Sequence, residues 1–300
     1  MSIMLKNKNT VVLIGVLAVL VVIYLIVQLT DGKSRSKSFR ETLVDINKGK
    51  VSRIEIRGKE SNTVLKGGPD NWEVEISDGV SKPAKVSSVT NFLSSLETIE
   101  PSRIASRSKD KWMDFQVDSA GTRVKVFEGD NETLDIILGR FGVEGQRSFY
   151  TYVRLADDND TYVANNFMSM SISSTPDGFR MNDVFRLSKD SLMTIAFNYP
   201  DSAFTINKSE SGQWIIEGQP VDSTNMAKYL NGLRNVTNKS FDDGSFDAPI
   251  LDVTYMFNNR DNIQVSMDQD GTVKSSENEV ELFNDEALRE KLFKGRSYFF

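Results

Sequence analysis

Trp72-Glu73-Val74-Glu75-Ile76 places an apolar residue at every second position with acids between them. Successive side chains of a strand point to opposite faces, so this run predicts a strand with one buried and one wet face. The same period extends outward on both sides. Ile54 and Ile56 alternate with Arg53, Glu55 and Arg57, and Thr122 to Val126 and Leu134 to Leu138 alternate likewise around the turn residues Gly129-Asp130-Asn131. Together they predict an antiparallel sheet with one face on a core. Between these strands the period changes: Val86, Val89, Phe92, Leu93 and Leu96 recur at three and four residues, as on a helix with a single apolar stripe. Such a stripe must lie on something, and the neighbouring strands supply the surface.

The same order is then met again. Ile195, Phe197, Phe204 and Ile206 mark strands, followed by Trp214-Ile215-Ile216; after Pro220 a second stripe of Met226, Tyr229, Leu230 and Leu233 begins, with Asp222 as the predicted N-cap. Further strands are marked by Leu251 to Phe257, by Ile263, Val265 and Met267, and by Val280 and Leu282; Tyr298-Phe299-Phe300 is expected to add a last strand to the second sheet. Ile54 with Ile195, Trp72 with Trp214 and Leu96 with Leu233 give offsets of about 140 residues. Duplication is the expectation, with chance matching of generic hairpins as the alternative.

Residues 11–27 read VVLIGVLAVLVVIYLIV, without a charge. At about 1.5 Å per residue the run spans about 26 Å, close to the hydrocarbon core of a bilayer. Fourteen of its residues are Val, Leu or Ile, and no small-residue cleavage site follows it at Gln28 to Asp31, so an uncleaved anchor is expected rather than a signal peptide. Lys6 and Lys8 precede it, and Lys33, Arg35, Lys37 and Arg40 follow. A positive-inside count leans toward a cytoplasmic body, whereas a short basic tail, an apolar run and a large domain are the layout of a signal anchor with its body extracytoplasmic (periplasmic). The second orientation is the one taken. The expected architecture is α+β: a basic tail (1–10), a transmembrane helix (11–29), a juxtamembrane linker (30–48), and two repeated antiparallel-sheet modules, each with a packing helix, at 49–175 and 176–300.

Composition closes many chemistries. The chain has no Cys and no His, which removes disulfides, thiolate nucleophiles, Ser-His-Asp catalysis and most transition-metal sites. A net charge of −6 argues against nucleic acid as a partner. Asp268-Gln269-Asp270-Gly271-Thr272 resembles the start of a calcium loop, but an EF-hand needs Gly at the sixth position, where Val273 stands; a hairpin turn is expected. The carboxylates at 157–160 (DDND) and 241–247 (FDDGSFD) are likewise expected as turn formers. No phosphate loop or dinucleotide fingerprint is present. No catalytic residue, cofactor or metal site is assigned. Phe149, Tyr150 and Tyr152 on one alternating strand put rings on both faces, one for the core and one as a candidate partner-binding strip.

Several phrases carry a family likeness: the anchor, the Trp strand with a helix about fifteen residues later, Leu138-Gly139-Arg140, the passage from Tyr152 to Asn165, and Phe179 to Ser188. Together they resemble the bacterial domain-of-unknown-function family 4340. The usual Gly-Leu after the first helix is replaced by Trp112-Met113-Asp114-Phe115. The resemblance implies a membrane-anchored protein, often encoded beside ABC transporter components of the gliding-motility type, and brings no catalytic residues. The expected function is therefore a non-enzymatic accessory, scaffold or binding subunit at the cell membrane, touching the bilayer and a transporter subunit. The alternatives are a carboxylate-based envelope enzyme acting on a polymer and a glycan- or ligand-binding envelope module.

Overall fold

The computed structural model describes Leu17, residues 19–21, 39–59, 61–145 and 148–300. Leu17 and residues 19–21 are helical and exposed; the rest of the span expected over 11–29 lies outside the described residues, as does the tail at 1–10. No helix among the described residues is long and apolar enough to cross a membrane. Val44–Phe300 forms a compact unit of its own.

That unit is a β-rich α+β body with two large antiparallel sheets and few helices. Strands β1 (Val51–Arg57), β2 (Asn62–Gly68), β3 (Asn71–Ser77) and β4 (Val80–Ala84) lead into helix α1 (Val86–Glu97). β5 (Pro101–Ser106) and the short helix α2 (Trp112–Phe115) follow, then β6 (Thr122–Glu128), β7 (Asn131–Glu144), β8 (Ser148–Leu155) and β9 (Thr161–Asn165). The nine strands pair in the order β4-β3-β2-β1-β6-β7-β8-β9-β5.

After β10 (Asp183–Phe185) come β11 (Leu192–Tyr199), β12 (Ser202–Lys208), β13 (Trp214–Ile216) and β14 (Gln219–Pro220), then helix α3 (Ser223–Gly232) and β15 (Val236–Thr237), which pairs with β10. β16 (Phe241–Asp242), β17 (Leu251–Phe257), β18 (Ile263–Met267), β19 (Val273–Ser275) and β20 (Asn278–Phe283) finish the strands, and helix α4 (Glu286–Leu292) follows. The second sheet runs β14-β13-β12-β11-β17-β18-β19-β20-β16. Counted within each sheet, the order is the same.

Both helical stripes lie where the period placed them. α1 buries Val89, Phe92, Leu93 and Leu96, with Phe92 edge-on to Phe179 at 5.6 Å. α3 buries Met226, Tyr229 and Leu230, and Asp222 caps it by accepting the Asn225 N–H at 2.7 Å, satisfying one of the free amides of the first turn. The Trp strands pair alike, Leu65 with Val74 and Gly67 with Trp72 as against Ile206 with Ile216 and Lys208 with Trp214.

Two expectations need correction. Residues 298–300 are not a strand: Arg296–Phe299 is a 3-10 turn whose fully buried Phe299 lies 5.4 Å from the Tyr229 ring. The tight turn buries Phe299 alone, leaving Phe300 49% exposed, and lets the Phe299 carbonyl accept from Asp222 N–H at the start of α3 at 2.8 Å. On the last strand Val280 is 42% exposed and Leu282 half-buried, whereas Glu281 is fully buried. A charged partner described below holds Glu281 inside.

Candidate functional site

The first sheet is covered on both faces, because Ile136 and Ile137 are adjacent on β7 and both buried. On the face of Ile137, the chain between β5 and β6 folds back onto the sheet. Ser108 opens this segment by accepting the Asp110 N–H, and Gln116 closes α2 in the left-handed region at φ 55°. Trp112, Phe115 and Val117 thereby pack with Ile137, Tyr152 and Val163. The close approach needs glycine: a Cβ on Gly139 would lie 2.4 Å from the Phe115 carbonyl oxygen, and one on Gly142 would lie 2.5 Å from the Tyr150 ring.

Phe149, Tyr150 and Tyr152 divide as alternation requires. Tyr150 and Tyr152 share this face, 5.3 Å apart edge to face; Tyr152 is buried beneath Phe115 at 4.5 Å. Phe149 turns the other way, 6.2 Å from Phe141, beside Asn91, Ser94 and Phe167. All three rings are at least partly buried, because α2 covers one face of β8 and α1 approaches the other.

Next along the Tyr150 and Tyr152 face is Arg154, only 6% exposed. Its Nε donates to the Val117 carbonyl at 3.0 Å, and its Nη1 donates to those of Leu155, Ala156 and Asp158 at 3.0, 3.2 and 3.0 Å. The guanidinium lies 3.7 Å over the Trp112 ring, and the Trp112 indole N–H donates to the Asn159 carbonyl at 3.1 Å. No carboxylate among the described residues forms an ion pair with Arg154. Desolvation lowers the Arg154 pKa, with nearby Arg123 acting in the same direction and the charges of Asp135, Asp158 and Asp118 against it.

Arg154 and Trp112 border a cavity of about 420 Å³, with Ile137, Asp118, Arg57 and Arg123 around it. Arg123 is already neutralised by a two-point contact with Asp135 at 2.7 and 2.5 Å; burial pushes the Asp135 carboxyl up, but the Arg123 hydrogen bonds outweigh it and leave it below its usual range. Arg57 is exposed at the end of β1. Asp118 Oδ1 accepts the Ala120 N–H at 3.1 Å. The site therefore offers two guanidinium groups facing one carboxylate, against an apolar wall of Trp112 and Ile137.

A second polar cluster ties the two sheets. Arg180, which bridges to Ala84 at the end of β4, is 2% exposed and fully enclosed by acids. It donates to Glu281 at 3.0 and 2.5 Å and to Asp243 at 3.1 and 2.6 Å, with its plane 4.0 Å over Phe241. Lys82 of β4 completes the group, 3.1 Å from Glu281 and 3.2 Å from Asp243. Desolvation opposes the Arg180 charge, but the hydrogen bonds it donates to Glu281 and Asp243 raise its pKa. The Arg180 hydrogen bonds first of all hold Asp243 below the usual carboxylate range.

The remaining carboxylate groups do the work of turns. Asp268 accepts the N–H groups of Asp270, Thr272 and Asp247 at 3.1, 2.9 and 3.2 Å. Asp242 accepts from Gly244 N–H and the Thr272 hydroxyl at 2.9 and 2.8 Å. Asp158 accepts from the Asn159 and Asp160 N–H groups. Among the described residues no group of three acids is placed to hold a metal ion.

Sequence reasoning placed neither Arg154 over Trp112 nor Arg180 against Glu281. The first left a signal: an arginine two residues after Tyr152 on an alternating strand falls on the ring-bearing face. The second left none, because its partners are 101 residues apart.

A family model described as a domain of unknown function, DUF4340, matches residues 75–252, more than half of the chain. No curated protein and no solved structure matches.

Proposed function

The chain belongs to the DUF4340 family of domains of unknown function, and from that premise we propose that it is a non-enzymatic, membrane-anchored binding or scaffold subunit working beside an ABC-type transporter or cell-envelope machine. In this reading residues 11–29 form the single-pass anchor, the body is extracytoplasmic, and its two sheet modules arose by duplication. The observation that carries the binding role is the disposition of charge. The clustered acids at 157–160, 241–247 and 268–270 serve turns and Arg180, while the first sheet carries a cavity lined by guanidinium groups and a Trp ring.

A carboxylate-based hydrolase needs two acids roughly 5–10 Å apart across a cleft. The cavity has Asp118 alone at its border, since Asp135 is engaged by Arg123. The uncharged run at 11–27 supports the membrane, and the identical strand order of the two sheets supports duplication.

Affinity isolation of the full-length chain from detergent-solubilised membranes tests the role. Recovery of transporter or envelope-machine subunits in fixed proportion is expected. Recovery as a lone monomer at the same detergent concentration contradicts it.

A further inference from the structure

Burying a cation without a countercharge is costly, and carbonyl dipoles offset only part of that cost. Arg180 illustrates the complete solution, with two carboxylates on one guanidinium. Arg154 is nearly as deeply buried, yet its hydrogen bonds run to four carbonyls, and Asp135, Asp158 and Asp118 act on it as neighbouring charges. Those contacts use Nε and Nη1. They fix the plane of the guanidinium against Trp112 and leave its positive charge at the border of the cavity.

We propose that the cavity beside Trp112 and Arg154 binds a small organic oxyanion, a carboxylate- or phosphate-bearing molecule of about monosaccharide size, with Arg57 as the second, outer cation. This deepens the binding role proposed above and rests on it. Guanidinium groups suit such anions because they present paired donors in a plane. Trp112 and Ile137 supply the apolar wall that an organic body requires and a bare ion does not. The volume, about 420 Å³, falls in the range of roughly 300–1,000 Å³ found for small-molecule sites. Asp118 disfavours a second negative charge at the rim, which favours a singly charged carboxylate over the nearly doubly charged phosphate. A smaller depression of about 210 Å³, lined by Glu55, Lys125 and Asn62 among others, shares Arg57 and Arg123 with the cavity.

The test uses the full-length chain in detergent with 5-fluorotryptophan incorporated, so that Trp72, Trp112 and Trp214 each give a fluorine resonance; Trp112→Phe assigns the reporter. Glucuronate, inorganic phosphate and uncharged glucose are titrated separately. A saturable shift of the Trp112 signal with glucuronate is expected, weaker with phosphate, absent with glucose, while the other two signals stay in place. Arg57→Gln, an exposed change, is expected to weaken glucuronate about tenfold, and Asp118→Asn to tighten it severalfold. No saturable shift with either anion, an equal response to glucose, or an unchanged affinity in Arg57→Gln overturns the proposal. A larger shift with phosphate than with glucuronate overturns the organic ligand. Recovery of membrane partners is measured separately on the wild-type chain, so absence of the ligand and absence of the partner are separate results.

Discussion

The two sheets of this protein agree where they meet the core and part company at their outer strands. In the first, Ile54 and Ile56 of β1 oppose Val126 and Val124 of β6; in the second, Ile195 and Phe197 of β11 oppose Tyr255 and Val253 of β17. Even the irregularity recurs, between Val51 and Arg53 in one sheet and between Leu192 and Thr194 in the other. Further out, the register sets Arg154 opposite Ile137 and Lys274 opposite Ser266. Arg154 is buried over Trp112 at 3.7 Å; Lys274 is exposed, 5.9 Å from Phe246. Pairing register fixes which positions face together, and the residue placed there decides whether the position becomes a site.

The acids divide in the same way. Val153 pairs with Tyr162 and Val273 with Phe283, and two residues before each aromatic stands a buried acid, Asp160 or Glu281. Glu281 is held by Arg180, whereas Asp160 Oδ2 has no hydrogen-bond partner. The sharpest way to break the comparison is to remove both charges. Glu281→Gln leaves Arg180 with one carboxylate fewer in a dry site and is expected to cost about 3–5 kcal/mol, read from urea unfolding. Asp160→Asn is expected to change stability by less than about 1 kcal/mol, because the swap keeps the shape and breaks no hydrogen bond of Oδ2. Equal losses would mean that the two positions are not distinguished by their partners.

The helices offer a smaller contrast. Phe92 of α1 packs edge-on to Phe179, while Tyr229 of α3 adds hydrogen bonds with the Tyr255 hydroxyl and the Leu292 carbonyl, each at 2.9 Å. Tyr229→Phe is expected to lose about 1–3 kcal/mol by stranding those partners. Burial first, and the neighbouring Tyr255 next, raise the Tyr229 pKa well above its usual value. A raised folded pKa means that stability is complete below the unfolded value of about 10 and falls as pH rises past it. The wild-type unfolding midpoint should therefore drop above about pH 10, with a shallower slope in Tyr229→Phe; identical slopes would remove this hydroxyl from the alkaline transition.

The smallest expected effect lies on the acid side. The Arg180 hydrogen bonds depress the Asp243 pKa despite its partial burial. The contribution is present above the unfolded carboxyl value of about 3.9 and disappears as pH falls through the lower folded value. Asp243→Asn should be less stable than wild type at pH 6, and the gap should narrow as pH falls below about 3.9. A constant gap across that range would show that the carboxylate charge is not what ties Asp243 to Arg180.

Local periodicity made much of this visible in the chain. Trp72 to Ile76, the stripes of α1 and α3, and the Asp222 cap are set by residues within one or two turns of each other, so neighbours in sequence decide them. Alternation also tells which residues share a face, but not which face is inside. For that reason Val280 and Leu282 mark β20 correctly while Glu281, not Val280, is buried. Phe149, Tyr150 and Tyr152 divide between the two faces as their spacing implies, yet the chain segments that cover each face come from 109–117 and 86–97 and leave no trace in the strand itself. The Arg180 and Arg154 sites belong to the same class: each is assembled from distant segments whose individual residues look ordinary.

The role assigned to this body depends on its being tied to a bilayer by the apolar, chargeless run at 11–27. Fractionation of cells followed by an alkaline carbonate wash tests that tie most directly. The full-length chain is expected in the washed membrane pellet and released only by detergent; full-length chain in the soluble fraction would contradict the anchor and, with it, the place beside a transporter.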